Sequence, residues 1–419
     1  MAPLEGSSPS GSLAPIMVGS DLGVYSMARS FHERFGVHSH TVSKLPRGFI
    51  NDSSILTPVL LGAAATPEDQ RNALDRLSRD ARGRGDTPVL LVNSDSQVDR
   101  VDADRHWYEE RFLVLVPPGE SVRAVEDKAR LADLAGASGL ATPRERVLDF
   151  TDLAGWRSLA GQIEAPYILK PATTGDYETL SFPGKLKVYV VDDAAALEPI
   201  LERIAEAGYE GQMLLQELIP GDDTCGYVTT VYMDHTGRAT LQATARMLLA
   251  IHTPNLLGNM AIGIVRWYPE IAERVVSLLE PIGYRGFATV DVKVDARTGQ
   301  PYLLDINPRA GRSNYFINIG GINPAEVAVD DARGVARAPA HTTAEGIFRI
   351  VPMALLRHYV PDPELRADVA RLRRAHGTVH PLDYAADANL RRTFYRHAAS
   401  INHVRAFRRI YPRRTETSF

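Results

Sequence analysis

Residues 283–315, GYRGFATVDVKVDARTGQPYLLDINPRAGRSNY, constrain the fold of this chain more than any other stretch. From Phe287 to Asp295 the apolar Ala288, Val290, Val292 and Val294 alternate with the polar Thr289, Asp291, Lys293 and Asp295. That period of two is the signature of a half-buried strand. Asp295-Ala-Arg-Thr-Gly299 supplies turn chemistry, with glycine able to take a positive φ. A second strand, Tyr302 to Arg309, sets Tyr302, Leu304 and Ile306 on one face and Asp305, Asn307 and Arg309 on the other. Paired as a hairpin, the two strands bring Asp291 close to Asp305 and Asn307, with Arg309 and Arg312 just beyond.

Two carboxylates, a carboxamide and two guanidiniums on one face are unfavourable to bury without a counter-ion. A hard cation with oxygen ligands resolves the conflict. Mg²⁺ prefers a few carboxylates together with phosphate oxygens, and arginines match phosphate or carboxylate geometry. A surface hairpin with solvated charges is the alternative. Against it, Asn307-Pro-Arg-Ala-Gly-Arg312 is a poor strand end but a good loop beside a ligand.

A chain of 419 residues has room for two or three domains. Its net charge of −4 argues against a nucleic-acid partner or an acidic membrane surface. The single Cys225 excludes an internal disulfide and a cysteine-based zinc site. No apolar run approaches a membrane span, and residues 1–15 lack the basic and apolar regions of a signal peptide. A cytoplasmic protein with a flexible lead-in is the expectation. Only six of the 47 basic residues are lysines, and five of those six lie between Lys128 and Lys293. Where arginine is the default, a lysine can mark a site that needs a compact charge on a flexible stem.

Taken in order, residues 16–24 form a short apolar strand running into a glycine-containing turn, followed by a helix from Tyr25 to Phe35. This opening suggests a Rossmann-type α/β domain, although no G-x-G-x-x-G is present. Helix–strand units continue through Pro67–Arg84, 88–94 and 111–118. Ser121 to Gly139 reads as a capped helix carrying Lys128. Residues 165–191 read as strand, Gly/Thr-rich loop and strand, and Ala194–Gly208 as an amphipathic helix. Residues 211–223 form a buried strand that stops at Pro220-Gly221, and strands at 226–234 and 239–251 follow. A helix at 269–280 leads back to the hairpin. Beyond about 335 the pattern turns helical, with helices around 344–357 and 363–375 and a basic tail.

Together these segments resemble the ATP-grasp superfamily of carboxylate–amine ligases. The matching features are Lys128, Lys170 in Ile168-Leu-Lys-Pro171, the loop 172–184, Gln216-Glu-Leu-Ile-Pro-Gly-Asp-Asp223, and the hairpin with Asp291 and Asp305-x-Asn307. Within the superfamily the chain is similar to the D-aspartate ligase group. That likeness covers nearly the whole chain and rests on GSDLGVYSMARSFHERFG, HTPNLLGN at 252–259, INPRAGRSNYF at 306–316 and Asp387-Ala-Asn-Leu-Arg-Arg.

The resemblance implies an α/β (α+β) ATP-grasp fold. Its expected divisions are a flexible N-terminus (1–15), a Rossmann-like pre-ATP-grasp domain (16–122), the ATP-grasp domain (123–335) and a C-terminal helical extension (336–419). It places Lys128 and Lys170 on ATP phosphates, with Thr173 and Thr174 offering hydroxyls and backbone N–H groups to them. The backbone of Glu217 and Ile219 would meet the adenine edge, Gln216 its amino group, and Asp223 the ribose hydroxyls, with Asp222 competing for that role. Asp291, Asp305 and Asn307 would hold two Mg²⁺ ions, with Mn²⁺ as an alternative. The family often has Glu at the position of Asp305 and at that of Asp223. Arg309 and Arg312 fall on the transferred γ-phosphoryl and the acyl-phosphate, or one of them on the substrate carboxylate. Arg246 is a weaker candidate; His32 and His252 read as structural, and Cys225 as a small buried filler.

The implied reaction has two steps: a carboxylate attacks the γ-phosphate of ATP, then an amine displaces phosphate from the acyl-phosphate. Its partners are a small carboxylate, such as a D-aspartate-like amino acid, and an amine; a homodimer is the expected assembly. A carboxylate kinase or an ATP-sensing regulator on the same scaffold is the rival reading.

Overall fold

The computed structural model describes the chain apart from residues 1–11, 127, 173–176, 178–179, 254–255 and 419, and apart from the side chains of residues 128 and 129. Strand β1 (Leu13–Val18) is buried along its whole length, as a strand covered on both faces must be. It begins inside the stretch read as a lead-in. Its sheet adds β2 (Ser39–Ser43), β3 (Leu56–Leu60), β4 (Thr87–Val92) and β5 (Leu113–Val114), all parallel, in the order β3-β2-β1-β4-β5. This is the open parallel sheet with crossover helices of a Rossmann-like unit. The strand read from residues 111–118 shortens to two residues. At the end of β1, Asp21 caps the helix Leu22–Phe35 by accepting from the Val24 N–H, and Gly36 at φ 67° ends it.

The second sheet is antiparallel: β6 (Glu145–Asp149), β7 (Tyr167–Pro171), β8 (Tyr189–Val191) and β9 (Gln212–Glu217), in the order β6-β9-β7-β8. The helix Ala194–Glu206 buries Leu197, Leu201 and Ile204, whose spacing forms one helical stripe that faces this sheet's core. The stretch expected as a helix over Ser121 to Gly139 is helical over Gly119–Glu126 and Lys128–Ala137, and residue 127 lies outside the described residues.

The third sheet is antiparallel and six-stranded: β10 (Gly226–Met233), β11 (Ala239–Ala250), β12 (Met260–Val265), β13 (Gly286–Val294), β14 (Pro301–Asn307) and β15 (Gly346–Arg349). Their order is β14-β13-β10-β11-β12-β15. Strand β13 therefore lies inside the sheet, and the helix Pro269–Leu279 buries Ile271, Val275 and Leu278 in the same core as Val290 and Val292. The helix expected around 344–357 is a correction. Ile347 and Phe348 pair with β12 as strand, Pro352 intervenes, and only Leu356–Tyr359 is α-helical. A β-branched and aromatic run beside an open sheet edge gains more from ladder pairing than from a short helix.

In the C-terminal region the helix Pro363–His376 packs against β15 and the helix Leu390–Ile410 against the short N-terminal helix Gly48–Asn51. Just before the last helix, Asp387 is 1% exposed and accepts hydrogen bonds from the Tyr25 hydroxyl (2.7 Å), the Ser53 hydroxyl (2.7 Å), and the Ser54 N–H (2.6 Å) and hydroxyl (2.9 Å). Arg392 pairs with it at 3.0 Å. One buried carboxylate thus fastens the C-terminal helix to the N-terminal unit. Among the described residues no helix is long and apolar enough to cross a membrane.

Candidate active site

The hairpin forms as its periodicity predicts, with Asp291 directly opposite Asp305 and Thr289 opposite Asn307. A bulge follows Asp291: Val292 pairs with Leu303, so Leu304 has no partner and is 38% exposed. This corrects the expected alternation of Tyr302, Leu304 and Ile306, because the extra residue shifts the phase of the strand. Asn307 Nδ2 donates weakly to Asp291 Oδ2 at 3.4 Å. The Asp291 carboxyl is pushed up to about 7, first by burial and then by the charge of Asp305; Arg309, Asn307 and Lys170 only partly offset this. Lys170, on β7 of the second sheet, therefore acts on the same carboxylate face.

Arg309 is tied down on both sides. Its Nε donates to Asp95 Oδ1 at 2.8 Å and its Nη2 to Asn307 Oδ1 at 2.7 Å. The loop carrying it is held by Asn314, whose side chain donates to the carbonyls of Gly23 (3.0 Å) and Gly311 (2.9 Å). A side chain at Gly23 would strike Asn93 and the Gly311 carbonyl, so glycine is required where the N-terminal unit meets this loop. Arg312 is partly buried, its Nε has no hydrogen-bond partner among the described residues, and burial pushes its pKa down while Asp21 acts in the opposite sense. A guanidinium held this way lowers its energy by receiving an anion.

The adenine and ribose candidates lie along β9 and the turn after it. Gln216 Nε2 donates to Glu145 at 2.6 Å, and the Glu217 carboxylate pairs with Arg144 at 2.8 Å. The Glu217 N–H is used by the Arg144 carbonyl at 2.9 Å, whereas the Ile219 backbone makes no hydrogen bond among the described residues. Asp222 Oδ1 accepts from the Thr224 N–H and hydroxyl and its Oδ2 pairs with Arg414, while Asp223 keeps Oδ1 unpaired. Of the two competitors, only Asp223 retains a carboxylate oxygen without a partner among the described residues. Lys128 begins its helix, but its side chain lies outside the described residues, as do Thr173 and Thr174.

Arg246 Nε donates to the Thr224 carbonyl at 2.8 Å, and His32 bonds the Tyr384 hydroxyl at 2.6 Å, both structural engagements. The sequence reading missed Asp95, Asn314 and Asp21. Of these, only Asp21 carried a local signal, as the capping residue before a helix. Lys293 was flagged only as one of the rare lysines. It shares its strand face with Asp291, and burial drives its pKa down.

Comparison with known proteins converges on this architecture. No protein-family model matches the chain. A D-aspartate ligase from Enterococcus faecium (strain Aus0004) is 28% identical over 319 residues, covering 76% of each chain. A D-alanine–D-alanine ligase from Xylella fastidiosa is 26% identical over 198 residues, 46% of this chain and 60% of that enzyme. The chain is similar to the ATP-grasp carboxylate–amine ligases.

The fold of this chain is likewise similar to that of the biotin carboxylase domain of Hydrogenobacter thermophilus 2-oxoglutarate carboxylase, solved with MgADP and bicarbonate. That match has a TM-score of 0.56 at 17% identity, over 78% of this chain and 71% of that one. N5-carboxyaminoimidazole ribonucleotide synthetase, solved with ADP, matches with a TM-score of 0.56 at 15% identity, over 80% and 81%.

Proposed function

We propose that this ligase joins a small carboxylate of the acidic amino-acid type, such as D-aspartate, to an amine with conversion of ATP to ADP. The observation that carries the reading is the Asp291–Asp305–Asn307 face, where a carboxyl is pushed to about 7 beside a second carboxylate and a tethered arginine. Among the described residues no cluster of three or more His, Cys, Asp or Glu is present. Two carboxylates and a carboxamide nevertheless suit a hard cation that takes its remaining ligands from phosphate and water. Asp291, Asp305 and Asn307 are the residues that would hold Mg²⁺, or Mn²⁺ in its place. When bound, the metal neutralises phosphate charge.

Lys128, Lys170, Thr173 and Thr174 are assigned to the phosphates, Gln216, Glu217 and Ile219 to the adenine, and Asp223 to the ribose. Arg309, fixed between Asp95 and Asn307, presents its charge to the transferred phosphoryl group without reorganising. Arg312 suits either the acyl-phosphate or the substrate carboxylate. Attack of the carboxylate oxygen on the γ-phosphorus forms the acyl-phosphate and releases ADP. The amine then attacks the acyl carbon and phosphate leaves. Exclusion of water from the cleft protects the acyl-phosphate between the two steps.

The same reading carries the divisions at 122 and 335, a cytoplasmic location and a homodimer, the last checked by light scattering; the division at 15 moves to before Leu13, where β1 begins. The test of the activity is phosphate release from Mg·ATP against an array of D- and L-amino acids, alone and in pairs. Release that needs both a carboxylate and an amine is expected. Release with a carboxylate alone would replace the ligase with a kinase.

A further inference from the structure

Asp223 is held asymmetrically. Its side chain is 8% exposed, and Oδ2 accepts from the Ala250 N–H at 2.8 Å and from His252 Nε2 at 3.0 Å. Oδ1 is buried and has no hydrogen-bond partner among the described residues. A buried carboxylate oxygen left unpaired is a cost that a hydroxyl donor removes. The bond to His252 fixes which oxygen is left over, because the imidazole directs its Nε2–H at Oδ2.

What fixes His252 comes from the far end of the chain. Its ring lies flat against Tyr411, with centroids 3.6 Å apart and planes 6° from parallel, and Phe407 meets it edge-on at 5.9 Å. Tyr411 is itself located, since the Tyr359 hydroxyl donates to its carbonyl at 2.6 Å and its own hydroxyl accepts from the Thr415 N–H at 3.0 Å. Two more contacts hold the same tail against the same place. Arg414 Nε pairs with Asp222 Oδ2 at 3.1 Å, and Lys293 Nζ reaches the Thr417 carbonyl at 3.4 Å. Residues 411–417 thus touch three points of the nucleotide segment: Asp222, His252 beside Asp223, and Lys293 two residues from Asp291.

We infer that the C-terminal tail belongs to the nucleotide site, with Tyr411 and His252 acting as positioning residues that hold Asp223 Oδ1 for a ribose hydroxyl. This rests on the reading of Asp223 as the ribose contact. Neither residue touches the nucleotide. The stack restricts the imidazole to one orientation, the imidazole restricts the carboxylate, and the carboxylate selects ribose over deoxyribose.

The test is calorimetric binding of Mg·ATP, Mg·2′-deoxy-ATP and Mg·3′-deoxy-ATP to the full-length chain, so that turnover is not needed. For the wild type, loss of the bonded hydroxyl is expected to weaken binding about tenfold, as for a hydrogen bond to a charged group. Asp223→Asn and Tyr411→Ala should bring the ratio of ATP to deoxy-ATP affinity close to one, while Tyr411→Phe, which keeps the ring, should retain it. His252→Ala should behave as Tyr411→Ala does. A loosened fold weakens all three nucleotides alike and leaves their ratio in place, and Tyr411→Leu keeps the bulk without the planar stack should the alanine variant unfold. If Asp223→Asn loses the discrimination while the Tyr411→Ala, Tyr411→Leu and His252→Ala variants keep it, the positioning role is wrong and the ribose reading stands. If Asp223→Asn keeps it, the ribose reading fails and takes the inference with it.

Discussion

Asp291, half-buried, and Asp387, fully buried, are two aspartates that the fold holds away from bulk water, and it treats them in opposite ways. Asp387 receives four hydrogen bonds and an ion pair from Tyr25, Ser53, Ser54 and Arg392. Asp291 accepts a weak hydrogen bond from Asn307 at 3.4 Å, lies within the influence of Lys170 and Arg309, and faces a second carboxylate. The first arrangement satisfies a charge in order to join two parts of a chain. The second sets two carboxylates face to face, as the proposed metal site requires. Burial alone does not separate architecture from chemistry; the count of donors around the buried group does.

The comparison can be broken first on the chemical side. Asp305→Ala should lower amine-dependent ADP formation by at least about a thousandfold, equivalent to about 4 kcal/mol, with the circular dichroism spectrum unchanged. Retained turnover would remove the metal assignment. On the architectural side, Asp387→Ala leaves Arg392 buried beside Tyr25 without its partner and should cost about 3–5 kcal/mol in urea unfolding. A loss under about 1 kcal/mol would mean that the clamp contributes little, as exposed pairs do.

Asp291→Asn separates the two roles in one residue. The folded carboxyl titrates near 7 against 3.8 in its ordinary state, so the folded form binds more protons across that interval. Stability of the metal-free wild type therefore falls as pH rises from about 4 to 7. The asparagine variant should escape this fall, unfolding about 1–3 kcal/mol later than the wild type at pH 8, while losing activity. A variant less stable than the wild type under those conditions would show Asp291 to be a structural carboxylate.

The smallest effect concerns His380, buried and pushed down to about 3 by burial first, then by Arg349, Arg396 and His403. Its ordinary value is 6.5, so the unfolded chain binds the extra proton below that pH and stability falls as pH drops. At pH 5 the loss should be about 2 kcal/mol relative to pH 7, and His380→Gln should flatten it. An unchanged slope in that variant would move the acid sensitivity elsewhere.

Much of the chemical side was legible in the residue order. Alternation through Val290 and Val292, turn residues at 295–299 and alternation again through Asp305 and Asn307 were enough to set Asp291 opposite Asp305. These are short-range signals, since a strand's period and a turn's chemistry act over a few residues. The bulge at Leu304 was not legible, because either phase of that strand satisfies the same pattern of side chains. Nor was the strand at 346–349, which needs the open edge of β12 as its partner.

The chain's own order determined that a Rossmann-like unit precedes a carboxylate-bearing hairpin and that charge is concentrated there. Only the tertiary structure decided what holds those charges: Asp95 on Arg309, Asn314 on Gly23, Tyr25 on Asp387, and Tyr411 against His252. Tyr25 and Asp387 are 362 positions apart, and no periodicity reaches so far. Such partners are chosen when whole sheets and helices pack, because a buried polar group must find its donors among whatever surfaces the packing brings together.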